Sequence, residues 1–332
     1  MILGRAGMRY VVSGATGLLG GNVVRELLMH ETNEVLALGR NLAKLQDLES
    51  KGAKTMRFDI TGTEDEFSKL ESWGGNSTIW VHCAAAITGA SDDELHDVNI
   101  LGTTKLVAKA EELNISKFVL ISSIAIFGLH SPKKLGFQED DPRNPQSNYG
   151  RSKLEQENIV TSSKLDYVIF RPPFIGGPSD VNVLPGFYDR IKSKKMPRIS
   201  KKGHFAFIDA RDIAQLIIKV VDKDISRESF NVQSHSLELN EFIDLIGKTT
   251  GLNPPYGKKY PYFLVMTLAT ILDMFAKMQG ISRDRSISRY RIKSLTSNRI
   301  LDNSKSKNQL DFSPKYSMEQ SILDWYETYD AK

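Results

Sequence analysis

The chain has 332 residues, enough for one large or two modest domains, and its apolar (40%) and charged (25%) shares are those of an ordinary globular protein, which excludes disordered and fibrous classes. Cys83 is the one cysteine; it excludes an internal disulfide framework and suits a reducing compartment, so the cytoplasm is the expected location. The net charge is +4, and the basic residues gather in two stretches, 190–202, with seven Lys/Arg and no acid, and 283–315.

Those stretches read as a solvated surface or as attraction for an anionic substrate tail or an acidic partner. Neither has the aromatic interleaving or motif of a nucleic-acid binder. The scattered histidines suggest no metal site.

Residues 1–8 hold no sustained apolar run, so no secretory signal is expected there. A strand over Tyr10, Val11 and Val12 runs into Ser13-Gly14-Ala15-Thr16-Gly17-Leu18-Leu19-Gly20. Glycines at 14, 17 and 20 permit a tight turn, close backbone approach to a pyrophosphate, and close packing of helix on strand. The helix that follows, over 18–30, aims its first amides and its dipole at the phosphates. In strand–turn–helix context this is a dinucleotide-binding turn. The second strand, over 35–38, ends at Gly39-Arg40, with Lys44 a turn later. An arginine where an NAD site carries an acid suits a 2′-phosphate, so NADP is expected over NAD. A third strand over 55–60 ends on Asp59 and Ile60, at the adenine edge. A fourth, Ile79-Trp80-Val81, leads to Cys83-Ala84-Ala85-Ala86, small side chains where a cofactor passes close to the backbone. His82 there reads as structural.

One helix is expected over 92–113 and a strand over 118–121, after which Ser122 and Ser123 present hydroxyls. Tyr149 and Lys153, four residues apart, share a helix face. An ammonium beside a phenol favours the phenolate and lowers the tyrosine pKa from about 10, as proton exchange with an alcohol or ketone requires. A strand over 167–170, a loop rich in proline and glycine, a strand over 205–208, a helix N-capped by Asp209, a helix over 237–250 and a capping box at Ser317 complete the pattern. The apolar segment 260–280 has 13 uncharged residues before Asp273, too few to span a bilayer, and reads as a buried or groove-forming helix. Repeated strand–helix–strand units imply a doubly wound parallel α/β sheet. The expected organisation is a Rossmann domain over 9–175 and a smaller α+β substrate lobe over 176–330, interleaved, with 204–223 returning to the first.

With these pieces in order, the chain resembles the extended short-chain dehydrogenase/reductases along nearly its whole length. The glycine turn is Gly14 to Gly20, the adenine-side acid Asp59, the central-helix asparagine Asn99, and the serine motif Ser122-Ser123 followed by Phe127-Gly128. The resemblance implies a catalytic triad of Ser123, Tyr149 and Lys153. It further implies cofactor contacts from Gly14, Thr16, Gly17, Leu18, Leu19, Gly20, Arg40, Asp59, Ile60, Cys83, Ala84, Ala85 and Ser122, from Tyr149 and Lys153 again, and from the loop Pro172, Pro173, Phe174, Ile175. The C-terminal Asp302-Asn303-Ser304-Lys305 and Leu310-Asp311-Phe312-Ser313-Pro314 resemble the branch holding 3β-hydroxysteroid dehydrogenases and dihydroflavonol-type reductases, whose substrates are hydrophobic alcohols and ketones. It also implies a homodimer through the helices of Asp92 and Tyr149.

The expected activity is NADP-dependent interconversion of a secondary alcohol and a ketone. A nucleotide-sugar epimerase with bound NAD is the nearest rival, opposed by Gly39-Arg40. A non-catalytic NADP-binding regulator is a third reading, opposed by the presence of both Tyr149 and Lys153.

Overall fold

The computed structural model describes residues 7–130, 132, 136–278 and 288–330. Residues 1–6 and the basic Arg283 and Arg285 lie outside them. The first half builds β1 (Arg9–Ser13), α1 (Leu18–Leu28), β2 (Glu34–Gly39), α2 (Leu42–Glu49), β3 (Lys54–Arg57), α3 (Glu64–Ser68) and β4 (Thr78–His82). It continues with α4 (Asp92–Glu94), α5 (Gly102–Glu112), β5 (Lys117–Ile121), α6 (Asn148–Ser162) and β6 (Tyr167–Arg171). The second half adds β7 (Phe174–Gly176), α7 (Leu184–Lys192), β8 (Pro197–Ile199), β9 (His204–Asp209), α8 (Ala210–Asp222), β10 (Glu228–Asn231), β11 (His235–Glu238) and α9 (Leu239–Thr249). It closes with β12 (Lys258–Tyr260), α10 (Tyr262–Met278), α11 (Arg289–Thr296), α12 (Ser304–Leu310) and α13 (Met318–Asp330).

Seven strands form one parallel sheet in the order β10-β6-β5-β4-β1-β2-β3. Its central strands are buried on both faces, which is why they read as unbroken apolar runs rather than alternating ones. Helices α1 and α8 cover one face, α5 and α6 the other. The order reverses between β1 and β4, and doubly wound sheets bind ligands at that reversal, beyond the carboxyl ends of the strands. A second core gathers Tyr188, Phe205, Phe207, Phe242 and Trp325 around two small sheets, β11-β9-β7 and β12-β8.

Several expected elements differ in detail. The third strand stops at Arg57, so Asp59 and Ile60 lie in the turn beyond it. The helix expected over 92–113 is continuous but wound as a π-helix from Leu95 to Leu101. Its Asn99, fully buried, accepts from Ala86 N (2.7 Å) and donates to Ala86 O (3.0 Å) and Ser152 Oγ (2.9 Å). That clamp holds the turn after β4 against α6. The stretch expected as helix from 237 opens two residues later, because β11 pairs antiparallel with β9 first. Within 204–223, β9 joins the small sheet while α8 packs on α1. Ser317 accepts from Gln320 N (3.0 Å), but the Gln320 side chain turns to Asp324 (2.5 Å), so only half of the capping box forms.

A chain of buried polar groups crosses the middle of the sheet. Ser13 Oγ lies 2.7 Å from His82 Nδ1, and His82 Nε2 lies 2.9 Å from Thr103 Oγ1. Gln156 Nε2 donates to Thr103 (2.6 Å) and accepts at Oε1 from Lys153 Nζ (2.5 Å), which also donates to Ile121 O (2.6 Å). His82 is 1% exposed; burial, aided by the charge of Lys153, pulls its pKa down to about 3.

A second buried tie is the two-pronged pair of Arg171 with Glu157 (2.9 and 2.8 Å), which pins β6 to α6. Breaking such a pair by removing one partner costs about 3–5 kcal/mol, because the other charge is left buried and alone.

His82 makes stability depend on pH. Its folded pKa lies below its unfolded value near 6.5, so the unfolded chain takes up the proton first and stability, complete above that value, falls as pH falls toward the folded pKa. Between neutral pH and about pH 5 this one group should remove about 2 kcal/mol. Denaturant unfolding at both pH values should show that loss, and His82→Asn should reduce it; an equal loss in the variant would assign the dependence elsewhere.

Candidate functional site

The turn after β1 is shaped by what glycine alone allows. Gly14 has φ +70°, and a Cβ there would come within 2.6 Å of Ala84 N; at Gly20 a Cβ would meet Gly14 O at 2.4 Å. The β1 turn, the β4 turn and α1 therefore approach more closely than any side chain permits. Gly17 caps α1 without a side-chain bond, so the first amides of the helix at Leu18, Leu19 and Gly20 stand at the turn.

Around this turn lies one cleft. Gly14, Thr16, Gly17, Arg40, Asp59, Ile60, Cys83, Ala84 and Ala85 line it, all singled out in the sequence. Leu18, Leu19 and Gly20 are not among its lining residues, being taken up in α1. Sequence reasoning missed Phe58, Glu94 and Val98, which also line it. Their only signal is tertiary: a turn after β3 and the winding of the 92–112 helix bring them there.

Arg40 is exposed at the rim, 3.8 Å from Asp59. Burial raises the pKa of Asp59, but hydrogen bonds from Thr61 and the charges of Arg40 and Arg57 outweigh it and hold the carboxyl below its usual range. Lys44 Nζ donates to Thr16 O (3.0 Å), tying α2 to the glycine turn.

Ser122 and Ser123 follow β5. The Ser122 hydroxyl is buried and has no hydrogen-bond partner among the described residues. Ser123 Oγ accepts from Ala125 N (3.1 Å), and Ser123 lies close enough to the Tyr149 hydroxyl to oppose the rise in its pKa. Ser147 caps α6 by accepting from Gly150 N (3.0 Å), which sets Tyr149 in the first turn and Lys153 one turn on.

The electrostatics differ from the spacing argument. The Lys153 ammonium points to Ile121 O and Gln156, and burial lowers it to about 8 against the opposing charge of Glu157. Burial pushes Tyr149 up to about 12; Ser123 pulls the other way and Tyr290 adds to the rise. Burial likewise pushes the Cys83 thiol up to about 12, so it is a neutral wall group.

Pro172 O accepts from Ile124 N (2.9 Å), joining the loop after β6 to the serine turn. Phe174 opens β7 and packs edge-on against Phe205 and Phe242 in the lobe core, and Ile175 packs on the core of the large sheet. Pro172, Pro173, Phe174 and Ile175 therefore form a strap between the two cores.

Two residues here were not anticipated. Arg299 is 7% exposed; it donates to Ser294 Oγ (2.6 Å) and Ile124 O (3.4 Å), and its Nε has no partner among the described residues. Among the described residues no carboxylate pairs with it. Burial pulls its pKa down and Tyr290 opposes the shift. Tyr290 thus acts electrostatically on both Arg299 and Tyr149. Nothing in local sequence marks Arg299; its place comes from isolated bridges of 299 with Phe205 and of Leu301 with Phe137.

The residues fit a dinucleotide. The cradle at Gly14 and Gly20 would be filled by any Cβ, α1 offers its amides, and the Ser122 hydroxyl is free farther along the strand ends.

The comparisons agree. A sterol-4-alpha-carboxylate 3-dehydrogenase (decarboxylating) from Candida albicans is 23% identical over 95% of this chain and 96% of its own. A 4-hydroxy-2-methyl-3-oxo-4-farnesyl-3,4-dihydroquinoline-1-oxide ketoreductase from Stigmatella aurantiaca is 26% identical, covering 75% of each. Among solved structures, the UDP-glucuronic acid 4-epimerase from Bacillus cereus in complex with NAD superposes with a TM-score of 0.77 at 19% identity, over 98% of this chain and 99% of that one, which shows the shared fold. The pattern of the NAD dependent epimerase/dehydratase family matches residues 10–232. The chain belongs to that family, as an NAD(P)-dependent enzyme of the extended short-chain dehydrogenase/reductase type.

Proposed function

We propose that the protein interconverts a secondary alcohol and a ketone, with NADP as its preferred cofactor and a hydrophobic substrate. The observation that carries this reading is Ser123 at the end of β5 set beside Tyr149 in the first turn of α6, next to the strand ends that frame the glycine cleft.

The cofactor, held by the glycine turn, Arg40, Asp59 and the small residues after β4, supplies the hydride acceptor or donor. The protein handles the proton. Tyr149 exchanges it with the substrate oxygen, and Ser123 holds that oxygen by a second hydrogen bond. With its pKa at about 12, Tyr149 is a protonated phenol at neutral pH, matched to giving a proton to a carbonyl oxygen as negative charge develops there. Lys153, fixed by Ile121 O and Gln156, lies one helix turn from Tyr149 and bears the ammonium that would meet the nicotinamide ribose.

Arg299 favours a substrate with an anionic group near the reacting oxygen. A buried guanidinium with no carboxylate partner beside the serine turn is a site for one. The sterol-carboxylate relative is named for such a substrate.

Tyr149→Phe should abolish turnover while leaving cofactor affinity intact, read by fluorescence titration of the reduced nucleotide; retained turnover would remove Tyr149 from the chemistry. Native mass spectrometry of the purified protein separates the rival: retained NAD would favour an epimerase, and ready exchange a dehydrogenase.

Arg40→Ser should weaken NADP(H) by about ten- to a hundredfold, the worth of a charge-assisted bond, with NAD(H) little changed. Equal affinities before and after would return the preference to NAD.

Arg299→Gln should narrow the preference for a carboxylate-bearing sterol alcohol over the same alcohol without the carboxylate, by about tenfold or more in kcat/KM. An unchanged ratio would make Arg299 structural.

A further inference from the structure

Helix α10 is apolar on nearly every side, yet the described residues cover only one side of it. Ala269 and Ala276 are buried, and Val265 and Met266 pack on the lobe core. On the other side Phe263, Leu264, Leu268, Ile271, Met274 and Phe275 are 45–66% exposed. At about 100° per residue these six fall within an arc of roughly 140°, a stripe about 18 Å long along the axis. The expectation of a buried or groove-forming helix is therefore met on one face only. A helix apolar all round is ordinarily enclosed, and an exposed apolar patch of this extent marks a surface that something else covers.

The charges beside the stripe indicate what covers it. The chain enters α10 from β12, whose Lys258 and Lys259 are exposed and which pairs with β8. Flanking β8 are Lys194, Lys195, Lys201 and Lys202, and the Lys201 ammonium sits 4.6 Å over the Tyr262 ring at the start of the helix. Lys202 pairs with Glu238 (3.6 Å). Among the described residues no carboxylate pairs with Lys194, Lys195, Lys201, Lys258 or Lys259. Tyr260, 42% exposed, lies between Lys259 and the helix, and Phe263 opens the stripe at that end, the position aromatic rings take at a membrane–water boundary. No helix among the described residues is long and apolar enough to cross a membrane.

We propose that α10 docks the protein on the surface of an anionic phospholipid bilayer. The apolar stripe enters the boundary between headgroups and acyl chains, and the lysines around β8 and β12 meet the phosphates. A second copy of the chain would bring the same uncompensated lysines to the rim of the contact, whereas an anionic leaflet attracts each of them. Helix α10 packs on α11, whose Tyr290 acts electrostatically on Tyr149, so docking would turn that side of the substrate site toward the lipid. The proposal does not depend on the proton chemistry assigned above.

The test is flotation of the full chain with vesicles of phosphatidylcholine and phosphatidylglycerol, and with vesicles of phosphatidylcholine alone. The expected result is co-flotation with the anionic vesicles that weakens as salt is raised. The triple variant Leu264→Glu, Leu268→Glu, Phe275→Glu should lose it by about tenfold or more, with circular dichroism and Tm kept, because these side chains stand outside the core. The pair Lys258→Glu, Lys259→Glu should weaken binding to anionic vesicles selectively. Absence of flotation by the native chain, or flotation unchanged in either variant, would overturn the proposal. So would a triple variant that converts a dimer to a monomer by light scattering, which would assign the face to a second copy.

Discussion

The structure depends on the polar chain from Ser13 through His82, Thr103 and Gln156 to Lys153 and Ile121 O. It joins β1, β4 and β5 to α5 and α6 in a region without access to water, where each group left unpaired would cost a full desolvation penalty. Because every member has a partner, the chain acts as a ruler: it fixes how far α6 lies from the sheet, and so where Tyr149 stands relative to Ser123. It also explains why the Lys153 ammonium is aimed at the sheet and not at the Tyr149 ring. A lysine this deeply buried takes the strongest acceptors in reach, and those are a strand-end carbonyl and an amide oxygen.

The two cores are bound by equally specific polar ties. Asp209, at the end of β9, accepts from Arg211 and from Ser321 of α13, while Arg211 also pairs with Asp324 and stacks on Tyr316. Trp325 donates its indole N–H to Asp180 O, next to the loop that opens α7. These ties bring the closing helix back onto the lobe, and the serine turn meets the lobe through Arg299. The candidate substrate site therefore borrows from both halves: hydroxyls from the end of β5 and the first turn of α6, and a cation and a phenol from around α11.

The sheet and the glycine turn were legible because both are local. Unbroken apolar runs at Val11, Leu36, Trp80, Val119 and Ile169 announce strands buried on two faces, and the spacing of Gly14, Gly17 and Gly20 is a backbone requirement that no other residue meets. Legibility failed where long-range pairing decides. β11 takes its first residues from a helical pattern because β9 offers an edge. β3 stops at Arg57 because its partner β2 ends at Gly39. The apolar pattern of α10 was plain, but which face the lobe would cover was not, since Ala269 and Phe263 both satisfy it.

By itself the sequence determined the doubly wound class, the glycine turn after β1 and the placing of Tyr149 and Lys153 one turn apart on a helix, because strand periodicity, glycine geometry and helical spacing act over a few residues. Only the tertiary structure decided how those side chains are charged and oriented, which residues complete the site, and which apolar surface is left uncovered. Burial and partner choice are set by groups far apart in the chain: His82 is held neutral by its depth, Lys153 is turned by Ile121 and Gln156, and Arg299 is brought beside Ile124 from 175 positions away.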